Sequence, residues 1–174
     1  MAAGLDFVAR AKIGRATPIL STLPPTTFAG LVAGPFAALL SGAPLHLHGP
    51  FEADDFLKMR DNAGHAHLVV PARIAPDLLG AAVLEGLAST VLVSRLPATG
   101  IFTPPAPFAC PCPLLDLYAI DESAAVAEPR RGGVSIPPAA EPHFVGFDES
   151  RVLTIEAPGD GALAFQGAAV TFAD

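Results

Sequence analysis

Between residues 17 and 96 the chain alternates short apolar runs with segments of helical character, and this alternation is its strongest constraint. "TPILSTLPP", "PLHLH", "HAHLVVP" and "TVLVSR" read as strands, the first over Ile19 to Leu23, where Pro24-Pro25 stops it. Thr26 or Thr27 can cap a helix over Phe28 to Leu40, and Gly42 can end it. "GPFEADDFLKMRDNAG" suits a second helix, with acidic residues in its first turn and Gly64 just past its end. "APDLLGAAVLEGLA" suits a third. Near-continuous apolar strands joined by helices of about 10–14 residues predict a mostly parallel β-α-β sheet buried on both faces, an α/β fold.

After Arg95 the pattern changes. "LPATGIFTPPAPFACPCP" is irregular and proline-rich, "LLDLY" is a further strand, and "AIDESAAVAE" is expected as a polar turn or short helix. The tail "HFVGFDESRVLTIEAPGDGALAFQGAAVTF" carries two turn signals between partly alternating runs and predicts antiparallel hairpins. The expected organisation is an N-terminal helical segment (1–16, with a helix over Ala3 to Ile13), an α/β core (17–132) and a small antiparallel β module (133–174).

Two His-x-His pairs, His46/His48 and His65/His67, invite a metal reading, because i and i+2 share one face of a strand. A helical crossover between their strands makes those strands parallel. The first pair then lies at a strand end and the second at a strand start. They fall at opposite edges of the sheet, and no joint zinc or nickel site is expected. Cys110 and Cys112 in "FACPCP" are not a Cys-x-x-Cys and read as two buried or idle thiols, with no sign of an oxidising compartment.

Of the 174 residues, 51% are hydrophobic and 16% charged, which supplies a sizeable core and argues against disorder. A formal charge of −7, with two lysines, gives no footprint for nucleic acid. The opening residues hold no long apolar run of the kind a secretory signal needs, so a cytoplasmic protein is expected. Phe28 to Leu45 approaches membrane-span length, but Gly34-Pro35 interrupts it and no anchoring residues flank it. It reads as a buried helix.

No nucleophile elbow, dinucleotide fingerprint or P-loop motif occurs in the chain. The strongest candidate for chemistry is "DLYAIDESAA", where Tyr118, Asp121 and Glu122 follow a buried strand. Ligands of open α/β sheets bind beyond the carboxyl ends of strands.

Several segments, in collinear order over residues 17 to about 170, resemble the middle of the adenylate-forming superfamily of acyl-CoA synthetases, aryl-CoA ligases and adenylation domains. "ILSTLPPTTFAGLVAGPFAALLSGAPLHL" resembles its "lPl-x-H-x-x-Gl…ll-x-Ga" segment. "FEADDFLKMRDNAGHAHLVVPARIAPDLL" resembles its "fd…l-x-x-i…vPt" segment. "DLYAIDES" resembles "x-x-YG-x-TE", and "GGVSIP" with "GALAFQGAAV" resembles "G-x-x-G-x-P" and "GEl-x-v-x-Gp-x-v". The resemblance implies that Glu122 stands on the Mg²⁺-binding glutamate and Tyr118 on the aromatic near adenine. Asp121 replaces a threonine that contacts the α-phosphate, Ala119 replaces a glycine, and Thr27 stands where a histidine is usual.

The phosphate loop ending in Pro-Lys-Gly is not in these 174 residues, and the ribose-binding aspartate and the domain with the catalytic lysine would lie beyond Asp174. Adenylation must neutralise charge on phosphates, and two lysines cannot supply that. The resemblance therefore implies a reduced relative, a pseudoenzyme that is not catalytic alone, needing no cofactor and keeping a fold that binds a carboxylic acid or acyl adenylate, or serving as an assembly subunit. The alternatives are a fragment or split subunit of an ATP-dependent acid–CoA ligase, using ATP or AMP and Mg²⁺ only within a complete enzyme, and a structural interaction protein without ligand. A homo-oligomer or a partner subunit is expected, with neither nucleic acid nor membrane as partner.

Overall fold

The computed structural model describes residues 2–80, 82–96, 107, 109–120, 122 and 124–135, together with the strands at 142–144, 151–156 and 164–166. A six-stranded sheet organises the core. Its strands are β1 (Ile19–Ser21), β2 (Leu45–Leu47), β3 (His67–Pro71), β4 (Ser89–Leu96), β5 (Leu114–Ile120) and β6 (Ala124–Pro129), in the order β2-β1-β3-β4-β5-β6. Every neighbouring pair is parallel except β5 and β6, which form an antiparallel hairpin.

Strict alternation along the strands sends side chains into two separate cores. Ile19, Val69, Val91, Leu115 and Leu117 point to one face, under α1 (Ala2–Ala11), α2 (Phe28–Leu31) and α3 (Ala37–Ser41). Leu20, Leu68, Val70, Leu92 and Leu114 point to the other, under α4 (Ala53–Ala63) and α5 (Ala75–Gly80). The α/β fold expected from the alternating pattern is the one found.

The Ala/Gly-rich segment forms one continuous helical path in which α2 passes through a π-helical stretch (Val32–Phe36) into α3. Pro35 lies inside that stretch and has no N–H to give to the helical ladder. The wider turn absorbs it without ending the helix. Gly42 closes α3 in the left-handed region, at φ 72°. No helix among the described residues is long and apolar enough to cross a membrane.

Three local expectations are corrected. β1 ends at Ser21, not at Leu23. The third helix stops at Gly80, followed by turns in which Ala82 and Gly86 have positive φ. The segment expected as a turn or short helix after β5 contains the strand β6, which pairs back along β5 through Ala119↔Ala125 and Tyr118↔Val126. The small apolar residues Ala124 to Ala127 carry no helical periodicity and are all buried, which suits a strand covered on both faces. In the tail, β7 (Pro142–Phe144), β8 (Arg151–Glu156) and β9 (Ala164–Gln166) form a second, antiparallel sheet in sequential order.

Candidate functional site at the carboxyl edge of the sheet

The strand order reverses at β1, because β2 is laid down on one side of it and β3 on the other. In open α/β sheets such a switch point opens a crevice at the carboxyl ends of the strands. Here that edge is formed by the loop from β1 to α2, the end of β4 and the turn after β5.

The loop is built tightly. Thr27, in extended conformation, caps α2: its Oγ accepts from Gly30 N–H at 3.1 Å and donates to the Pro24 carbonyl at 3.0 Å. Gly30 is required by this packing, since a Cβ there would lie within the contact radius of the Pro24 carbonyl oxygen. α2 reaches across the edge toward β5 and β6. At that contact Glu122 Oε2 accepts a hydrogen bond from the Phe28 backbone N–H, while Oε1 accepts from Arg95 Nη2 at 2.8 Å. The carboxylate thus sits on the positive end of the helix beginning at Phe28 and beside a guanidinium at the end of β4.

Thr27 and Glu122 are therefore brought to one place. Tyr118 is not on that edge. It lies within β5, fully buried, with its hydroxyl 2.6 Å from Ser135 Oγ and 3.3 Å from Asp116 Oδ2. As placed, its ring offers no open face for stacking, and burial together with the Asp116 charge pushes its phenol far above the usual range. Asp121 lies outside the described residues. Arg95 was not singled out by sequence reasoning, although one arginine closing an otherwise apolar strand at its carboxyl end is a readable signal.

The residues described do not make a magnesium set. Mg²⁺ requires near-octahedral oxygen ligands, and the two Glu122 oxygens already engage Arg95 and Phe28. No group of three or more His, Cys, Asp or Glu side chains converges among the described residues. The histidine pairs stay apart as well. β1 separates their strands, His48 Nε2 accepts from Glu52 N–H at 3.1 Å, and His65 Nδ1 lies 2.9 Å from the Gly86 carbonyl.

No protein-family model and no curated protein matches the sequence. Solved structures do match in fold. The o-succinylbenzoate CoA synthetase MenE of Bacillus subtilis, a double mutant bound with the product analogue OSB-NCoA, superposes with a TM-score of 0.62 at 15% identity over 97% of this chain. MatB of Rhodopseudomonas palustris superposes with TM-scores of 0.59 in its apo form and 0.54 with ATP bound, at 16% and 13% identity. The chain carries part of the adenylate-forming fold. It spans 36% of the MenE chain and 35% of MatB.

Proposed function

We propose that the chain is a cytoplasmic, reduced relative of the acid–CoA ligases. It is not catalytic by itself, and it serves as a binding or assembly subunit with a fold that accommodates a carboxylic acid or an acyl adenylate. The observation that carries this reading is the Glu122 contact. At the edge where a ligase must stabilise phosphate charge, this chain places its own carboxylate on the Phe28 N–H and on Arg95. The pair cancels its own charge, and no lysine of the chain stands there to take a phosphate. Electrostatic stabilisation of a leaving pyrophosphate needs unspent donors and cations.

Association is supported by the surface near the β2 edge. Leu47 and Phe51 are 45% and 53% exposed, and Leu39 on α3 is 74% exposed. β2 is a three-residue edge strand with one side unpaired within the sheet. A second reading, a split subunit of a working ligase, is favoured by the chain's span of about a third of the enzymes it resembles.

The purified chain is expected to show no acid-dependent release of pyrophosphate from ATP with Mg²⁺. Turnover that disappears in Glu122→Ala would overturn this. Activity that arises only on adding a co-purifying partner supports the split-subunit reading instead. Sedimentation equilibrium at micromolar concentration is expected to show a dimer or a stable complex, weakened in Leu39→Lys and Phe51→Lys. A well-behaved monomer would remove the assembly role.

A further inference from the structure

A second recess lies at the opposite edge of the sheet. A cleft of about 480 Å³ opens at the amino ends of β3, β4 and β5, beside the end of α1. Two side chains of its lining, His67 and Lys12, each carry a polar atom with no protein partner among the described residues.

The first is His67, the opening residue of β3. It is 4% exposed, and its Nδ1 lies 2.8 Å from the Oγ of Ser89, its register partner on β4. Among the described residues its Nε2 has no hydrogen-bond partner. As His67 lines the open cleft, that nitrogen is left for water or a ligand seated there. Burial holds the imidazole below its ordinary value and therefore neutral, with Nε2 a single donor or a single acceptor.

The second is Lys12. It follows α1 in a left-handed conformation, at φ 54°. Its N–H bonds the Ala9 carbonyl at 3.3 Å and the Ile13 N–H bonds that of Val8 at 3.0 Å, the paired bonds of a Schellman helix end. Glycine is the usual residue there, and a lysine pays strain for the position. Charge accounting explains what it adds. Arg10 is matched by Asp6 at 2.8 Å and Glu128 at 3.3 Å, and Arg130 is matched by Asp116. Lys12 is exposed and has no carboxylate partner among the described residues. Among the described residues it is the lining cation without a carboxylate partner.

The remaining wall is mostly apolar, with Leu114 and Pro113 facing the cleft. Its size and character are those of a small-molecule site, a mostly apolar pocket with a few placed polar groups. One ammonium matches one negative charge, and the apolar wall favours an organic body over an inorganic anion. We propose that this amino-edge cleft binds a small organic acid carrying a second hydrogen-bonding group, with its carboxylate on Lys12, its body along Leu114 and Pro113, and its second group on His67. This site is separate from the carboxyl edge and does not depend on the function proposed there.

The test is a titration of the whole 174-residue chain with 4-hydroxybenzoate, followed by amide and histidine-ring NMR. Saturable shifts are expected at the His67 ring and at amides near Lys12, Ser89 and Leu114. Lys12→Gly separates binding from folding, because glycine accepts the left-handed position without strain. That variant is expected to melt no lower than the wild type and to bind about tenfold or more weakly, the loss of one charge-assisted hydrogen bond. Benzoate, which lacks the second group, is expected to bind several-fold more weakly than 4-hydroxybenzoate. Shifts that fail to saturate, equal affinity in Lys12→Gly, equal affinity for benzoate, or equally tight binding of inorganic phosphate would each overturn the proposal.

Discussion

Arg130 and Asp116 form a bidentate ion pair with both side chains fully buried: Nε to Oδ2 is 2.9 Å and Nη2 to Oδ1 is 2.8 Å. Arg130 also donates to the Gly133 carbonyl at 3.2 Å, and Asp116 Oδ2 lies 3.3 Å from the Tyr118 hydroxyl. The network joins β5, the residue after β6 and the turn that follows it. A buried pair is strong evidence of interdependence, because removing one partner strands a charge in the interior. Arg130→Met is therefore expected to lose about 3–5 kcal/mol in urea unfolding. Tyr118→Phe, which removes only a neutral hydroxyl from the network, is expected to lose about 1 kcal/mol. The double variant Arg130→Met with Asp116→Leu should recover much of the first loss. A double variant no more stable than Arg130→Met alone would show that the pair does not act as a unit.

The β1–α2 loop gives a second contrast. Gly30→Ala places a methyl group against the Pro24 carbonyl, a backbone atom that cannot rotate away, and also 2.9 Å from Thr27 Oγ. Thr27→Ala removes the cap and the exposed hydroxyl bond to the Pro24 carbonyl and adds no atoms, at a cost of about 1 kcal/mol. Gly30→Ala is thus expected to be the more damaging of the two, at about 1–3 kcal/mol as an overpacked site. It should also alter the environment of Glu122, which accepts from Phe28 N–H at the start of α2, and through it that of Arg95. Chemical denaturation and the Arg95 side-chain NMR signal check both points. Equal stability of the two variants would mean the loop simply relaxes.

The parallel core was legible because its strands are buried on both faces and so read as unbroken apolar runs, as in Leu68-Val69-Val70 and Val91-Leu92. Caps were readable to within a residue: Gly42 was named outright, and of the two candidates Thr26 and Thr27 the structure uses Thr27. β6 was not, since Ala124-Ala125-Val126-Ala127 has neither helical nor strand periodicity and its state is set by pairing with β5. Of the residues the sequence singled out for chemistry, Glu122 and Thr27 meet near Phe28. Arg95 was missed because its relation to Glu122 depends on the register of β4 against β5, where Arg95 faces Ala119. Tyr118 looked accessible because it stands near the end of "LLDLY", yet β5 continues two residues beyond it and Ser135 closes over its hydroxyl. The buried partnership of Asp116 with Arg130 spans a turn and a strand, and no spacing rule announces it.

One acid-sensitive contribution to stability should trace to His67. Burial in the interior, and next the nearby His65, lower its pKa from the ordinary value of 6.5. The unfolded chain therefore takes up this proton before the folded chain does. Because the unfolded state binds more protons, stability rises with pH in that window. Read downward, the contribution is intact above pH 6.5 and is lost progressively as the pH falls from there toward the lowered folded-state value. Asp6 acts in the opposite sense at lower pH. Burial raises its pKa in spite of the Arg10 bond, so it does not add to the loss near pH 6. In His67→Gln the amide cannot titrate, and it can still meet Ser89. Urea unfolding of both proteins between pH 5 and 8 checks this: the wild type should lose stability below about pH 6.5 while His67→Gln changes less over the same interval. Parallel pH profiles for the two proteins would show that His67 does not control it.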